Sequence, residues 1–387
     1  MRALDRRHAA PGRPLGMLAR LKIRAIRCKW EGRGITMGNN RKIGVGIIGY
    51  GFSAKTFHVP LLKVLDEYEI RGIVSSDKTK VHRDLPEVEV YADLTAMLED
   101  MDIQLVINTA PNELHFPLTQ AAIAAGRHVV VEKPFVNTYA EGKLLAEQAE
   151  AHGVVLSVYH NRRWDNNFRT VQALHREGTF GEIMYFESRY DRYAPVARPG
   201  WRSQNLPGSG ILYDLGSHLL DQAITLLGLP LSITADAAIQ REGGESCDYF
   251  HLLLDYGKTK AVLHSGVFSR EAGPRFQVHG TKASFVKHGT DPQENALKQG
   301  LLPVDDSWGR EPEELAGWIS DGENGERRTQ YPSVPGDYRQ YYRELKAAIA
   351  GEGPNPVTAE HALTVIRLIE LANLSASAKR TVFLNET

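Results

Sequence analysis

"KIGVGIIGYGFSA" (42–54) decides the fold. It is a short apolar run that closes on Gly49, Gly51 and Ala54, the spacing G-x-G-x-x-A. In such a stretch the first glycine permits a tight turn from strand to helix, and the second lets backbone approach a pyrophosphate. The small third residue lets helix and strand pack closely. A phosphate would then rest on the free amides of the helix N-terminus. Working outward, "YEIRGIVSS" (68–76), "IQLVINTAP" (103–111) and "HVVVEKP" (128–134) read as further strands with helical stretches between them. This alternation predicts a parallel, doubly wound sheet covered on both faces, an α/β nucleotide-binding domain over residues 37–158.

The end of the second strand discriminates between cofactors, because an acidic residue there would bind the ribose 2′-hydroxyl and repel a 2′-phosphate. That place falls on Ser75, with Ser76 next and Lys78 and Lys80 within reach of a phosphate, which favours NADP over NAD. Asp77 argues the other way if it turns toward the ribose. "NTAPNELH" (108–115) puts Thr109, Asn112 and His115 on a polar turn at the edge where such sheets bind ligands, or else forms an ordinary capped loop. "VEKP" (131–134) leaves Lys133 at the carboxyl end of a buried strand, a place suited to proton transfer or to polarising an oxygen. The competing reading is an ion pair at a strand end.

Composition sets the frame: 387 residues, 42% hydrophobic and 24% charged, are enough for two substantial cores. No run approaches the about 18 apolar residues of a membrane span, and no secretory signal is legible, so a cytoplasmic protein is expected. The net charge of -1 hides a basic N-terminal extension, residues 1–36, with ten Lys or Arg against two acids. The remaining residues balance at -9, which speaks against nucleic acid as a partner. Met37 directly precedes the first strand and is the expected natural start, the basic arm being an upstream or disordered segment. Cys28 and Cys247 have no partner at metal or redox spacing, so neither disulfides nor a metal site is expected.

Beyond "GVVLSVYHNRRWDNNF" (153–168) the rhythm changes to successive strands with turns, as in a mostly antiparallel open sheet, so a second, α+β domain is expected over 159–387. Apolar residues on both faces of several strands predict a homo-oligomer. "ILYDLGSHLLDQAITLLG" (211–228) reads as one amphipathic helix. Asp214, His218, Asp221 and Thr225 gather on its polar side, which by itself is read as a solvated face.

G-x-G-x-x-A, "TAPNELH", "EKP", "GTFGEI" (178–183) and D-x-G-x-H-x-x-D in "DLGSHLLD" stand in the order and spacing of the Gfo/Idh/MocA oxidoreductases, which the chain resembles over about residues 40–385. "SVYHNRRWDNNF", "GSGILYDLGSH", "DYFHLLLDYG" and "DDSWG" resemble the NADP-dependent scyllo-inositol dehydrogenase branch. The resemblance implies a Rossmann domain and an α/β domain with an open sheet that commonly forms subunit contacts. It also implies reversible hydride transfer between nicotinamide and a sugar or polyol.

Carried over by the same resemblance, Lys133 is the catalytic lysine and Asp214 with His218 the acid–histidine pair. Cofactor contacts fall on Gly51, Phe52, Ser53, Ala54, Ser75, Ser76, Thr109, Asn112, His115, Glu132, Lys133, Asn161, Trp201 and Arg202, beside Gly49 of the motif. Relatives in the inositol branch often carry Arg where this chain has Asp77, a difference for which Lys78 and Lys80 are placed to compensate.

Residues four apart on a helix project together, so Asp214 is expected to accept a hydrogen bond from His218 and to stabilise its protonated form. His218 then serves as general base while Lys133 stabilises the developing alkoxide, or the two roles are exchanged. Arg163, Arg192, Tyr193 and Trp201 offer donors and a flat surface to a polyhydroxylated ring, with His218 at the reacting alcohol; the arginines of "ESRYDRY" fit equally well as partners of Glu187 and Asp191 on an exposed face. The leading expectation is an inositol or inosose oxidoreductase. An aldose or ketosugar enzyme and a non-catalytic NADP-binding sensor are the rivals.

Overall fold

The apolar run 43–48 forms β1 (Ile43–Ile48), and all six of its residues are buried. A strand covered on both faces is what makes the run continuous rather than alternating. In the computed structural model, which describes residues 42–197 and 203–386, β1 turns at Gly49 into a π-helical turn (Ala54–His58) and then α1 (Val59–Lys63). There follow β2 (Tyr68–Val74), α2 (Lys78–Asp84), β3 (Glu89–Tyr91), α3 (Leu94–Leu98), β4 (Leu105–Asn108), α4 (His115–Ala124), β5 (His128–Val131), α5 (Tyr139–Ala151) and β6 (Leu156–Val158). The six strands pair in parallel in the order β3-β2-β1-β4-β5-β6. Strand order reverses between β1 and β4, so the ligand crevice of such a sheet lies at their carboxyl ends. Thr138 and Glu141 close a capping box on α5, which fixes where that helix starts after the Lys133 loop.

The second part begins with α6 (Asn166–Arg176) and β7 (Ile183–Arg189). After a second π-helical turn (Leu212–Gly216) come α7 (Ser217–Leu227), β8 (Ser232–Ala238), β9 (Tyr249–Tyr256), β10 (Thr259–Gly266), β11 (Phe276–Gly280), β12 (Ser284–Lys287), α8 (Gln293–Lys298), β13 (Gly317–Asp321), β14 (Arg327–Tyr331), α9 (Arg339–Ile349), α10 (Ala359–Ala378) and β15 (Val382–Phe383). Nine strands form one sheet, β14-β13-β12-β11-β7-β10-β9-β8-β15. All its pairs are antiparallel except β7 with β10. The expected α/β architecture, a parallel Rossmann sheet followed by a mostly antiparallel one, is therefore present.

Two features depart from the sequence reading. The segment 211–228 is not one regular helix with a solvated side: its first turn is π-helical, and Ser217 through Ile224 are all buried, His218 and Asp221 among them. In addition, α9 and α10 fold back onto the first sheet. The Tyr341 hydroxyl donates to Ser157 Oγ (2.9 Å), the Tyr68 hydroxyl donates to the Tyr342 carbonyl (2.6 Å), and the Val158 amide donates to the Val357 carbonyl (3.2 Å). Among the described residues, no helix is long and apolar enough to cross a membrane.

Candidate active site

Every motif of the first half delivers its side chains to one edge of the parallel sheet. β1 ends at Gly49, β2 at Ser75, β4 at Thr109, β5 at Glu132 and Lys133, and β6 at Tyr159 and His160. Gly49 has φ 88°, a left-handed conformation that needs glycine. A Cβ placed on Gly51 would meet nothing of the protein within 4 Å. Packing does not demand glycine at residue 51, whereas a phosphate approaching the backbone would, and in this respect the turn fits a dinucleotide. Ala54 is fully buried against the sheet, as the third position of the motif requires. Phe52, 55% exposed, leans edge-on toward Phe57 at the mouth of the turn.

Beneath this turn lies a buried bracket centred on Glu132. Its Oε1 accepts from Ser53 Oγ and lies 3.1 Å from His58 Nε2, while its Oε2 accepts from the Lys133 amide at 2.9 Å. His58 Nδ1 in turn sits 2.5 Å from the Tyr342 hydroxyl. Burial alone would raise the Glu132 carboxyl, but the bonds from His58 and Ser53 and the charges of His58 and Lys133 bring it down to about 2. Glu132 and Ser53, expected at the cofactor, thus bond each other and tie the glycine turn to the Lys133 loop. The sequence reading missed His58, and its only signal was a polar residue set in the apolar face of the first helix.

Several other expected cofactor side chains are committed to the framework. The Thr109 hydroxyl donates to the Ile48 carbonyl at 2.8 Å and so braces the end of β1. Asn112 Nδ2 donates to the Gly208 carbonyl at 2.8 Å. His115 is buried with Nδ1 2.8 Å from the Pro134 carbonyl and Nε2 3.0 Å from the Ala110 carbonyl, and burial lowers its pKa. These three side chains thus make hydrogen bonds within the protein that brace the ends of the strands and the loops beside them. Asn161 lies buried at the start of a short 3-10 turn. Trp201 and Arg202 lie outside the described residues, as do residues 1–36, Met37 and Cys28.

Ser75 follows β2 directly, and Ser76 and Lys78 are exposed beside it, with Lys80 half-buried. Asp77 caps α2, its Oδ1 accepting from the Lys80 amide at 2.8 Å. Its carboxylate is thus turned to the helix.

The carboxyl edge then meets α7. Lys133 Nζ donates to Asp214 Oδ1 at 2.6 Å and to the Asp214 carbonyl at 2.8 Å. The ammonium is largely buried, at 16% exposure. This overturns the expected Asp214–His218 hydrogen bond. The π-helical turn containing Asp214 is wider than an α-turn, so a separation of four no longer aligns the two side chains, and the carboxylate goes to Lys133 instead. His218, 4% exposed, is held well below the ordinary histidine pKa, first by burial and then by the charges of Lys133 and Arg162. Burial and these cationic neighbours hold its imidazole neutral. Its Nδ1 has no partner among the described residues. Next to it, His160 presents its ring edge to face at 6.0 Å.

Arg163, expected at the substrate, is spent elsewhere. Its Nε donates to both Asp221 oxygens, NH2 to Asp221 Oδ1 at 2.7 Å, and NH1 to the Pro356 carbonyl at 3.0 Å. His361 Nε2 lies 3.0 Å from the same carboxylate. Burial opposes ionisation of Asp221, yet the charges of Arg163 and His160 and the bonds from His361 and Arg163 keep its carboxyl far below the usual range. The clamp fixes α7 against α10 and the Asn161 turn. Tyr193 is 43% exposed and stacks under the Arg270 guanidinium at 3.9 Å. No described contact brings Tyr193 or Arg192 to Lys133, Asp214 or His218.

Comparison with known proteins identifies the family. A family model described as "Oxidoreductase family, NAD-binding Rossmann fold" matches residues 43–160, and one described as "Oxidoreductase family, C-terminal alpha/beta domain" matches 174–384. The chain belongs to the Gfo/Idh/MocA oxidoreductases. The scyllo-inositol 2-dehydrogenase (NADP(+)) IolW of Bacillus subtilis is 47% identical over 343 residues, 88% of this chain and 96% of that one. The Escherichia coli oxidoreductase YdgJ is 45% identical over 88% of this chain and 99% of its own length. A solved structure of the Bacillus subtilis oxidoreductase yvaA superposes with a TM-score of 0.88 at 45% identity, covering 90% of this chain and all of that one. Membership makes this protein an NAD(P)-dependent oxidoreductase.

Proposed function

We propose that this oxidoreductase uses NADP to interconvert a secondary alcohol of a cyclic polyol and the corresponding ketone, with scyllo-inositol and its inosose as the leading pair. The observation that carries the reading is the Lys133–Asp214 ion pair set beside the neutral His218 at the edge where the sheet offers its dinucleotide crevice. The nicotinamide, when bound, supplies the acceptor or donor of hydride. Asp214 holds the Lys133 ammonium in place, and that ammonium donates a hydrogen bond to the carbinol oxygen and stabilises negative charge as it develops there. His218, uncharged and hence with a free lone pair, accepts the hydroxyl proton as the C–H bond breaks, and returns it in the reverse direction. No protonated histidine waits in the ground state, so alcohol can be bound and deprotonated by the same ring.

Two observations favour NADP. Ser75 directly follows β2, where an acid would be expected to bind a ribose hydroxyl, and Asp77, the nearby acid, is engaged as the cap of α2. The substrate class follows from the relative that is named a scyllo-inositol 2-dehydrogenase (NADP(+)). The test is the near-ultraviolet absorbance of reduced cofactor with NADP or NAD and a panel of inositols, aldoses and ketosugars. Reduction of NADP by an inositol is expected. Turnover of aldoses alone overturns the substrate, and dinucleotide binding with no turnover overturns the catalytic reading.

A further inference from the structure

We propose that His160 binds substrate, reading a ring hydroxyl beside the reacting carbinol as the second imidazole of a pair with His218; this rests on the functional reading above. The placement follows from strand register. Val131 of β5 pairs with Val158 of β6, so Lys133 and His160, each two residues farther on, emerge side by side from neighbouring strands. The Tyr159 amide donates to the Val131 carbonyl at 2.8 Å and carries the pairing to the residue before His160. From the other side, α7 brings His218 to a ring-centroid distance of 6.0 Å, the two rings nearly perpendicular at 83°. The charge of Lys133 acts on both imidazoles.

His160 is 1% exposed, and among the described residues neither of its ring nitrogens has a hydrogen-bond partner. The buried His58 and His115 are treated differently: each has a protein oxygen within hydrogen-bond distance of both ring nitrogens. Buried polar atoms are almost always paired, so an imidazole with both nitrogens free beside an ion-paired lysine is reserved for a polar ligand. Burial lowers its pKa to about 4, against the pull of Asp221, so near neutrality the ring offers one donor and one acceptor. That pair of functions matches a hydroxyl, which also donates once and accepts. It does not match a carboxylate or phosphate, which would call for two donors. With His218 on one oxygen of the substrate, His160 takes a neighbouring one, and the class recognised is a ring carrying adjacent hydroxyls.

The experiment compares wild type with His160→Phe, which keeps the volume and removes both hydrogen-bonding atoms, and with His160→Asn, which keeps a donor and an acceptor. Each is assayed with NADP and an inositol, and with the deoxy analogue lacking the hydroxyl next to the reacting carbon. NADPH affinity is read by fluorescence titration and folding by thermal melt. For His160→Phe we expect KM to rise about tenfold or more, with kcat changed by less than about threefold and NADPH affinity unchanged. His160→Asn should recover part of the loss. Wild type should discriminate against the deoxy analogue, and His160→Phe should not. If His160→Phe does not fold, the same discrimination measured on His160→Asn, expected to be weakened, carries the test. A variant with wild-type KM and undiminished discrimination overturns the role of His160 while leaving the function intact. If wild type turns over only aldoses, the inositol reading falls and the comparison is made with an aldose and its deoxy form. Should wild type turn over no polyhydroxylated ring, both readings fall.

Discussion

His58 and His218 make an instructive pair. Each is buried, at 0% and 4% exposure, and each follows from a π-helical turn, His58 as the last residue of Ala54–His58 and His218 two residues beyond Leu212–Gly216. Their surroundings differ. His58 is bracketed by Tyr342 and Glu132, so both nitrogens are used inside the protein. His218 keeps Nδ1 unpartnered and faces another unpartnered imidazole. A buried ring with its bonds complete stiffens the framework; a buried ring with bonds to spare has been kept for something that arrives. The first kind should matter for stability and the second for turnover.

That division is broken most directly at the site. Lys133→Ala and His218→Leu should each lower kcat by about 10²-fold or more, equivalent to ~3 kcal/mol of transition-state stabilisation. His218→Leu should leave stability in urea unchanged or raised, because an apolar side chain of similar bulk replaces a ring whose Nδ1 had no partner. Normal turnover in either variant removes its assigned role. The pH profile sharpens the point. Since the His218 pKa is depressed, the neutral form persists on acidification through the ordinary histidine range, so alcohol oxidation should not decline near about pH 6.5 but only well below it.

At His58 the expected loss is in stability. His58→Leu leaves the buried Glu132 carboxylate without a principal partner and should cost about 2 kcal/mol in urea unfolding at neutral pH. The pH sign follows from the depressed Glu132 pKa of about 2. A carboxyl lowered on folding contributes stability that is present above its unfolded pKa and disappears as pH falls toward its folded one. The wild-type advantage over His58→Leu should therefore be greatest near neutrality and shrink in acid. A constant gap would mean that His58 acts through packing against Tyr159 rather than through Glu132.

What the amino-acid sequence could reveal tracks how local the determinant is. β1, its glycines and the strand-end positions of Ser75 and Lys133 were legible, because a six-residue apolar run and a turn motif are specified by adjacent residues. The nine-stranded sheet was legible as a rhythm, without its strand order. An α-helical period would bring Asp214 and His218 together, and a single π-turn between them defeats it. Arg163 was assigned to substrate because its partners, Asp221 and the Pro356 carbonyl, lie 58 and 193 residues away. His160 went unnoticed for the complementary reason, since its distinction is a lack of partners, and no spacing encodes that.

The smallest effect concerns the cofactor, and it contrasts the two acids that could face a ribose. Asp77 is only two residues past Ser75, yet its Oδ1 is bound to the Lys80 amide and its own amide donates to Ser75 Oγ at 3.2 Å, so its charge is turned into α2. An acid at residue 75 itself would have no such competing bond and would stand at the end of β2, accepting from a 2′-hydroxyl and repelling a 2′-phosphate. Ser75→Asp should therefore lower the ratio of kcat/KM for NADP over NAD by about tenfold, ~1.4 kcal/mol, while turnover with saturating cofactor is preserved. Lys78→Ala alone should move the ratio less, because an exposed ammonium is screened by solvent. An unchanged ratio in Ser75→Asp combined with a large one in Lys78→Ala would reverse the assignment. Discrimination would then rest on charge attraction at the exposed start of α2 rather than on exclusion at the strand end.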